Sequence, residues 1–431
     1  MQDSAAVLHS PFAHGSRLGG FDLERLLAPA QAIVAYLGRA RLAAPGVETV
    51  GLEDAAGRIL AANAVAREDH PSHPRSTMDG FAVASTSRLA RRRIVGAVTM
   101  GHAAPHAIAI DDAMWIPTGG ALPEGADAVV PQEDVEIADD AIALRDPVTA
   151  GSFFSPRASD IAAGETVLAA GRRIGGAELG VLATLGFAHV AVYRKPRIAI
   201  VSTGDELVEP GADLAIGQIR DSNRYALAGT LAVLGAIPVH LPRAKDTHDA
   251  ISAALREALA TCDAAITTGG SSVGERDLVP RIVDELHSGA TIVHGLRVKP
   301  GKPTLLAALE GKAVIGLPGN PASSLMILEA VVRPIIAALT GERDVRPTTL
   351  AAVATAPFVG REGWTHFVPA RLTLRGATLF AEPLVIRSAQ TSLLARASGY
   401  ATIGELHSRI EAGDNLGIAL FSGGGAPIAT A

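Results

Sequence analysis

Three stretches of this chain decide its fold: RIAIVSTGDE at residues 197–206, AAITTGGSSVGE at residues 264–275 and AVIGLPGNPASS at residues 313–324. Each begins as a short apolar run of strand length and ends in a glycine-rich turn. Apolar residues at helical spacing follow each turn. Buried strands that alternate with helices at this spacing are typical of βαβ units in a mainly parallel, doubly wound sheet. We therefore predict an α/β domain over residues 195–342.

The elements predicted for this domain follow the same alternation from end to end. They are strand 197–201, helix 222–234, strand 237–241, helix 247–261, strand 264–268, helix 277–286, a hairpin through 292–298 and 304–308, strand 313–317 and helix 321–339. Only the hairpin departs from a parallel arrangement.

The chain on either side of this domain has a different character. Six short β-prone pieces within residues 80–144, separated by turn residues, predict a small β-rich module. Helical spacing at 22–42 and 176–185 indicates that this module is inserted into a discontinuous domain. A second, short helix is predicted at 52–60. After residue 343, strand-length pieces in which apolar and polar residues alternate predict a small β domain.

Composition excludes several classes of protein. The 431 residues include 44 acidic and 38 basic ones, a net charge of −6, whereas nucleic-acid binders usually carry a basic excess. With 48% hydrophobic residues the chain is not disordered, and its one cysteine provides neither a disulfide framework nor a multi-thiolate zinc site. No uninterrupted apolar stretch reaches the roughly 18–20 residues that span a bilayer, and no secretory signal is visible. We expect a cytoplasmic protein that binds neither nucleic acid nor membranes.

The three glycine-rich turns also predict the chemistry of the site. Ligands of open parallel sheets bind outside the carboxyl ends of the strands, where glycines let backbone N–H groups approach an anion. Asn320 suits the N-cap and Pro321 the first turn of the next helix, whose N-terminus adds partial positive charge. Tight turns need glycine in any case, but three of them with hydroxyl groups at one edge favour a phosphate-bearing ligand. The candidate binding residues are Ser202, Thr203, Gly204, Asp205, Gly269, Gly270, Ser271, Ser272, Gly274, Pro318, Gly319, Asn320, Pro321 and Ser323.

Acidic side chains follow the same strand ends. Carboxylates repel a phosphate unless a hard cation lies between them, so their presence predicts Mg²⁺ shared by protein and phosphate oxygens. Matching of the helix dipole explains an aspartate at position 277 equally well. The carboxylates concerned are Asp205, Glu206, Asp246, Glu275 and Asp277.

Two further features stay ambiguous on physical grounds. The rigid turn Lys299-Pro300-Gly301-Lys302-Pro303 places two ammonium groups in a chain of negative net charge. Its lysines are either solvated hairpin residues or ligands of an anion. Polar, Gly- and Pro-marked turns also precede strands within residues 74–83 and 115–130, and spacing alone gives them no role beyond that of turns.

The features described so far lie in seven motifs that follow one another in a fixed order. They are STMDGFAV at 76–83, IPTGGALPEGADAVVPQED at 116–134, IVSTGDELVEPG at 200–211, GQIRDSN at 217–223, TTGGSSVGERD at 267–277, KPGKP at 299–303 and GLPGNPASS at 316–324. In this order they resemble the molybdopterin molybdenumtransferases, the family of MoeA-type enzymes and the gephyrin E-domain. The resemblance extends from about residue 21 to about residue 421.

The resemblance implies four structural parts and a homodimer. The parts are a discontinuous elongated domain (21–62 with 161–194), an inserted β-rich domain (63–160), an α/β molybdopterin-binding domain (195–342) and a C-terminal β domain (343–431). In such a dimer the active site joins the α/β domain of one subunit to the β-rich domain of the other. Asp79 and Thr118 then complete the partner's cleft. Contact with molybdopterin adenylyltransferase is a further expectation.

The reaction that the resemblance implies takes adenylylated molybdopterin and molybdate and yields molybdenum cofactor and AMP, with a divalent cation. The pyrophosphate of this substrate agrees with the pattern of carboxylates and glycine turns. Glu206, Asp246 and Asp277 are then the expected Mg²⁺ ligands.

Molybdate is a second anion, for which Lys299, Lys302 and the helix N-terminus around Ser323 are the expected ligands. Because the anhydride of the substrate is already activated, positioning and charge neutralisation would do most of the catalytic work. The expected catalytic residues are Asp79, Thr118, Glu206, Asp246, Asp277, Lys299 and Lys302.

The chain departs from the family's usual pattern at several positions. Where the family commonly has a Gly-Glu-Asp segment, this chain has Arg157-Ala158-Ser159-Asp160. Ser271 stands in place of a valine and Phe81 in place of a tyrosine. Gly295 stands in place of a lysine, with Arg297 nearby as a substitute. These departures leave open a tungstate-using paralogue and a non-catalytic pterin-binding carrier or scaffold that delivers cofactor to a partner enzyme. A third alternative, the adenylyltransferase of the preceding reaction step, is disfavoured, because that enzyme is usually one small domain.

Overall fold

A six-stranded sheet forms the centre of the α/β region in the computed structural model, which describes residues 17–18, 21–22, 26–269, 278–386 and 392–430. In spatial order its strands are Ile237–His240, Arg197–Ser202, Ala264–Thr268, Lys312–Leu317, Leu305–Leu309 and Thr291–His294. The first four run parallel, and Leu305–Leu309 is antiparallel to both of its neighbours. The predicted α/β fold with a mainly parallel sheet is confirmed.

Most helices of the described residues belong to this region. The α-helices are Pro29–Arg39, Gly176–Thr184, Asn223–Val233, His248–Thr261, Leu278–Leu286, Pro321–Ile327, Arg333–Thr340 and Ser392–Ala395. The π-helical segment Leu328–Val332 joins Pro321–Ile327 to Arg333–Thr340, and we call the continuous unit Pro321–Thr340 the core helix.

Helices cover both faces of the central sheet because successive side chains of a strand point to opposite faces. Ile200 belongs to a buried cluster that includes helix Asn223–Val233 and the core helix. Its neighbour Val201 belongs to another cluster, with helices His248–Thr261 and Leu278–Leu286. The sheet is therefore doubly wound, as predicted.

The core helix is long and apolar enough to cross a membrane, and in the described part of the chain it is the one segment of which this is true. Of its most apolar window, 67% is buried inside the protein. It packs on the central sheet through side chains such as Met326, Ile327 and Ile335. Its hydrophobicity is therefore that of a core helix.

The predicted hairpin needs a correction on its first strand. Strand Thr291–His294 pairs with Leu305–Leu309, but it ends before the predicted residue 298. Gly295 has a φ of +86°, which turns the chain out of the sheet. Val298–Lys299 then pairs in parallel with Thr365–Arg375 of the C-terminal domain.

The first helix is shorter than predicted and packs on the α/β region. It spans Pro29–Arg39, with a proline in its first turn. Ala32 and Tyr36 are fully buried in the cluster that contains the core helix, and the Tyr36 hydroxyl donates to the carbonyl of Ala307 at 2.9 Å. By its contacts this helix joins the α/β core, which differs from the grouping of residues 21–62 with the elongated domain.

Two separated parts of the chain build the elongated unit. Val47–Gly51 pairs antiparallel with His189–Tyr193, and Ala64–Val65 pairs with Thr166–Leu168. The helix predicted at residues 52–60 is wrong, because only the 3₁₀ turn Leu52–Asp54 forms there. Gly57 has a φ of +72°, and Ile59 and Leu60 form bridges to Arg173 and Val192.

The segment between these two parts forms the β-rich module. Its six-stranded sheet has the order Val135–Ala138, Ala141–Leu144, Arg91–Ala97, Asp112–Ile116, Gly80–Val83 and Ala128–Pro131. All six strands overlap the β-prone pieces of the sequence. A short ladder, Arg75–Ser76 with Phe154–Ser155, lies beside this sheet.

The C-terminal domain is a closed barrel. Strand Thr365–Arg375 pairs with the strands on both ends of the ladder and so closes it. The barrel strands are, in order, Thr365–Arg375, Thr378–Pro383, Thr349–Ala354, Asn415–Leu420 and Gly399–Ile403. Shorter pairs complete the fold: Phe358–Val359 with Arg409–Ile410, Leu207–Val208 with Ile219–Arg220, Arg17–Leu18 with Phe21–Asp22, and Ala429–Thr430 on the edge of Thr365–Arg375.

Candidate functional site

The carboxyl ends of the parallel strands meet at one edge of the central sheet. Ser202 lies opposite Thr268, and Thr268 opposite Leu317. Leu305 lies opposite Gly316 and pairs on its other side with His294, so the turn between these two strands emerges at the same edge. We call this region the carboxyl edge. It carries the first and third glycine-rich turns and the lysine turn together.

The glycine turns approach one another closely. Gly269 has a φ of +89°, and a Cβ atom there would lie 2.9 Å from Thr203 Oγ1 and 3.0 Å from the Thr203 carbonyl oxygen. A Cβ on Gly319 would lie 3.7 Å from the Cα of Gly269. Only glycine fits at position 269, because both its φ and its neighbours exclude a side chain.

The third turn presents the N-terminus of the core helix. The Asn320 side chain accepts a hydrogen bond from the backbone N–H of Ser323 at 3.2 Å, so Asn320 is the N-cap, as the sequence predicts. The Ser324 hydroxyl donates to the carbonyl of Pro318 at 2.8 Å, which fixes the turn before the helix. Positive helix-terminal charge therefore lies at the carboxyl edge.

Three buried oxygen atoms at this edge have no hydrogen-bond partner among the residues that the structure describes. They are Ser202 Oγ, Thr267 Oγ1 and Asn223 Oδ1, and each of these residues is at most 8% exposed. Buried polar atoms are almost always satisfied, since leaving one without a partner costs about 1–3 kcal/mol. Unpartnered buried oxygens at a strand edge that carries glycine turns are expected where a polar ligand binds.

Sequence reasoning gave Asn223 no role of its own, although the residue lies in the GQIRDSN motif. Its Nδ2 donates to the carbonyl of Gly319 at 2.8 Å, and it is the first residue of helix Asn223–Val233. Asn223 therefore links the start of its own helix to the glycine turn that precedes the core helix. An asparagine at a helix start, directly after a polar turn, was the available signal.

Two of the predicted acidic residues come from neighbouring strand ends. The carboxylate of Glu206 lies beside Gly204, where a Cβ would be 2.7 Å from Glu206 Oε2. Asp246 is exposed and follows Ala244, whose N–H donates to the carbonyl of Ser202 at 3.0 Å. The two side chains therefore lie on loops that leave adjacent strands.

The third predicted metal ligand, Asp277, lies outside the described residues, as do Gly270, Ser271, Ser272, Gly274 and Glu275. Within the described ranges, no three acidic, histidine or cysteine side chains converge as a metal site. The remaining donors, the exposed carboxylates of Asp205, Glu206 and Asp246, are the hard oxygen ligands that Mg²⁺ prefers.

The lysine turn is held rigidly at the carboxyl edge. The carbonyl of Lys302 accepts from the N–H groups of Leu296 and Thr304 at 2.8 and 2.9 Å. Gly301 has a φ of +105°, and a Cβ there would lie 2.2 Å from the side chain of Ile327 on the core helix. Burial lowers the pKa of the Lys302 ammonium group. A partly desolvated cation interacts more strongly with an anion than an exposed one does.

A cleft of about 660 Å³ separates the lysine turn from the barrel. Lys299 and Lys302 of the lysine turn line it together with Arg361, Trp364 and His366 of the C-terminal domain. Burial lowers the pKa of His366, and the charges of Lys299 and Arg361 lower it further. The cleft therefore combines an apolar wall with a concentration of positive charge, which suits an anion.

Arg297, the expected substitute for the lysine that the family usually has at position 295, contacts the C-terminal domain. Its guanidinium forms an ion pair with Glu405 of the barrel, with distances of 2.9 and 3.3 Å. Gly295 itself has a positive φ and donates to the carbonyl of Thr304. Arg297 therefore links the α/β region to the C-terminal domain.

Asp79 and Thr118 lie together on the β-rich module. The Asp79 carboxylate accepts a hydrogen bond from the Thr118 N–H at 2.6 Å, and both residues are exposed. Between described residues, the hydrogen bonds that leave residues 71–156 reach only the following segment, 157–160. The structure thus brings these two residues together but joins them by no such bond to the carboxyl edge of the same chain.

Comparisons with known proteins agree with this architecture. Residues 25–186 match the model of the MoeA N-terminal region (domain I and II), and residues 199–338 match that of a probable molybdopterin binding domain. A molybdopterin molybdenumtransferase of Staphylococcus aureus (strain MSSA476) is 31% identical over 336 residues, 76% of this chain and 80% of that protein. The Haemophilus influenzae protein of the same name is 33% identical over 312 residues, 72% of this chain and 77% of its own. The crystal structure of a molybdopterin biosynthesis MoeA protein from Pyrococcus horikoshii superposes with a TM-score of 0.74 at 30% identity, covering 92% of this chain and 99% of that one.

Proposed function

Because the chain belongs to the molybdopterin molybdenumtransferase family and is a transferase of molybdenum cofactor biosynthesis, we propose that it inserts molybdate into adenylylated molybdopterin and releases AMP. The observation that carries this proposal is the meeting of two glycine turns, a helix N-terminus and the lysine turn at one carboxyl edge. A substrate with a pyrophosphate and a separate oxyanion needs these elements side by side.

The pyrophosphate is assigned to the glycine turns. Gly204 and Gly319 place no side chain of their own between the backbone N–H groups and an anion, whereas the Gly269 N–H already donates to the carbonyl of Leu317 at 3.3 Å. The unpartnered hydroxyl of Ser202 can donate a further hydrogen bond at the same place. Since the anhydride is already activated, the residues of the chain act by positioning the substrate and excluding water.

A divalent cation, Mg²⁺, fits the donors at this edge. Glu206 and Asp246 would hold it, with Asp277 as the third ligand expected from the sequence. Both described residues offer exposed carboxylate oxygens from adjacent strand ends, the donor chemistry that this ion requires. When bound, the ion would neutralise charge on the phosphate oxygens.

Molybdate is assigned to the lysine turn and the start of the core helix. Lys299 and Lys302 carry the positive charge, and the N–H groups near Ser323 add the helix dipole. Arg361 of the barrel faces the same cleft. Tungstate has the same charge and shape, so these groups alone do not discriminate between the two metals.

A homodimer completes the site in this proposal. Two observations support this: the exposed Asp79 and Thr118 are joined by a hydrogen bond, and between described residues no backbone hydrogen bond links their module to the carboxyl edge of the same chain. In the dimer the pair would enter the partner's cleft. Transfer of the adenylylated pterin would occur in contact with the adenylyltransferase that makes it.

The test is release of AMP from adenylylated molybdopterin by the purified protein, with molybdate, with tungstate and with neither. We expect release that depends on molybdate and on Mg²⁺. Binding of the pterin without molybdate-dependent release would contradict the proposal and would favour the carrier function. Faster release with tungstate than with molybdate would correct the metal assignment.

A further inference from the structure

The β-rich module contains a second cavity, of about 720 Å³, on the side of the turn that carries Thr118. Three loops line it, and we call it the module pocket. Its charged and titratable lining residues are His73, Arg75, His102, His106 and Glu124. It is distinct from the carboxyl edge, and neither the family resemblance nor the motifs assign it a ligand.

Arg75 is the fixed cation of the module pocket. Its backbone pairs with Ser155 on one side and forms a bridge to Ala121 on the other, so the base of the side chain cannot shift. Its Nε atom is buried and has no hydrogen-bond partner in the part of the chain that the structure describes. The Arg75 side chain lines the cavity, and a guanidinium fixed in this way is suited to bind an oxyanion.

The histidines add charge that depends on pH. A carbonyl can only accept, so the 3.2 Å contact between His102 Nδ1 and the carbonyl oxygen of Met100 places the proton of neutral His102 on Nδ1. Nε2 is then the nitrogen that gains a proton and becomes a second donor. The ring of His106 lies against Gly96, where a Cβ would be 3.4 Å from His106 Cε1. His73 Nδ1 lies 3.1 Å from Ser72 Oγ.

We propose that the module pocket binds a tetrahedral oxyanion group, either as a free dianion or as the phosphate of a mononucleotide. Arg75 supplies the permanent charge, and His73, His102 and His106 supply donors whose number rises as the pH falls. Glu124 is the opposing charge in the lining. Gly119 lines the pocket directly after Thr118, and the pocket therefore opens beside the turn that the proposed function places in the partner's cleft.

Calorimetric titration tests this proposal on the full chain without turnover, so its failure is distinguishable from failure of the proposed function. Molybdate, inorganic phosphate and AMP are titrated at pH 6 and pH 8 into the Lys299→Gln/Lys302→Gln variant, in which the lysine turn no longer competes. We expect binding about tenfold tighter at pH 6, because imidazolium groups donate to an anion more strongly than neutral rings. Binding of the inorganic anions identifies a free-oxyanion site, and binding of AMP alone identifies a mononucleotide site.

Variants of the module pocket show whether the anion binds there or elsewhere on the protein. Arg75→Gln should weaken binding about tenfold or more, the value of a lost charge-assisted hydrogen bond. The exposed Arg91→Gln in the same module is the matched control and should not weaken it. His102→Gln/His106→Gln should abolish the difference between the two pH values, and it tests the proposal independently if Arg75→Gln does not fold. Absence of binding at pH 6, or binding that Arg75→Gln and the histidine variant leave unchanged, would overturn the proposal.

Discussion

The carboxylate of Asp79 accepts a hydrogen bond from the backbone N–H of Thr118 at 2.6 Å, which joins two turns that lie 39 positions apart. The bond orients an exposed carboxylate on a rigid β module. In the proposed function, a carboxylate fixed in this way acts on the ligand that the partner subunit holds.

Mixed dimers test this relationship. Asp79→Ala damages the cleft completed by its module, whereas Glu206→Gln damages the cleft of its own α/β domain. Each variant alone should be inactive. A mixed dimer of the two has one cleft with both changes and one with none, so an equal mixture should recover about a quarter of the wild-type rate of AMP release.

The control for this experiment is a mixture of Asp79→Ala with Thr118→Pro, which removes the same hydrogen bond from the same module. Both changes then affect modules only, so every cleft in the mixture is damaged and no activity should return. Recovery in this control, or none in the first mixture, would argue against a shared cleft.

Removal of the divalent cation should abolish the reaction. We expect a chelator to stop AMP release and added Mg²⁺ to restore it. Glu206→Gln should lower the rate roughly 100-fold, because an amide cannot replace a carboxylate as the ligand of a hard cation. Glu209→Gln, three residues further along and exposed, is the matched control and should retain full activity at saturating Mg²⁺. Equal effects of the two changes would contradict the metal assignment.

The sequence predicted the fold where hydrophobic pattern and turn chemistry agree. Strand Ala264–Thr268 is buried along its whole length, and both its predicted ends match. The pattern failed at residues 52–60, where apolar side chains at helical spacing pack through a strand pair and not through a helix. Local periodicity cannot detect a partner such as Val192, which lies more than a hundred positions away.

The candidate site shows the same division. Glycine-rich turns and clustered lysines can be identified as candidate anion ligands from residue type alone. The lysine turn indeed emerges at the carboxyl edge. The role of Asn223 depends on a contact with the Gly319 carbonyl, and that contact exists only after the sheet has brought two loops together. Likewise, the order of strands that places Arg361 in the same cleft as Lys299 follows from the closure of the barrel, which no local pattern encodes.

Asn223→Ala should weaken productive substrate binding. The change removes the donor to the Gly319 carbonyl and the buried Oδ1 together, so the glycine turn loses its link to helix Asn223–Val233. We expect kcat/KM for the adenylylated pterin to fall about tenfold, mostly through KM, while KM for molybdate stays unchanged. Asn63→Ala, which removes a cap on the N–H of Ala170 in the elongated unit, should lower stability without moving either KM.

Gly301→Ala should destabilise the protein through the lysine turn. The new Cβ would lie 2.2 Å from the Ile327 side chain, at a φ of +105°. Overpacking and the unfavourable φ together should cost roughly 3 kcal/mol of unfolding free energy. Gly289→Ala is the control, since Gly289 has a φ of +75° but open space around it, and should cost only about 1 kcal/mol. Urea unfolding of both variants measures the difference, and equal costs would show that the contact with the core helix is not tight.

Glu329→Gln should change how stability depends on pH. Glu329 is 4% exposed on the core helix, and burial raises the pKa of its carboxyl, although two hydrogen bonds from Ser422 oppose this shift. The folded protein therefore binds this proton more tightly than the unfolded chain does. The stabilisation is complete below the unfolded-state pKa and is lost as the pH rises through the raised folded-state pKa.

Glutamine keeps an oxygen that can accept from Ser422 but has no charge to bury, so the variant should gain stability relative to wild type between pH 5 and pH 8. Urea unfolding at the two pH values measures this gain, with the exposed Glu257→Gln as the matched change, and a variant that loses stability relative to wild type as the pH rises would refute the argument.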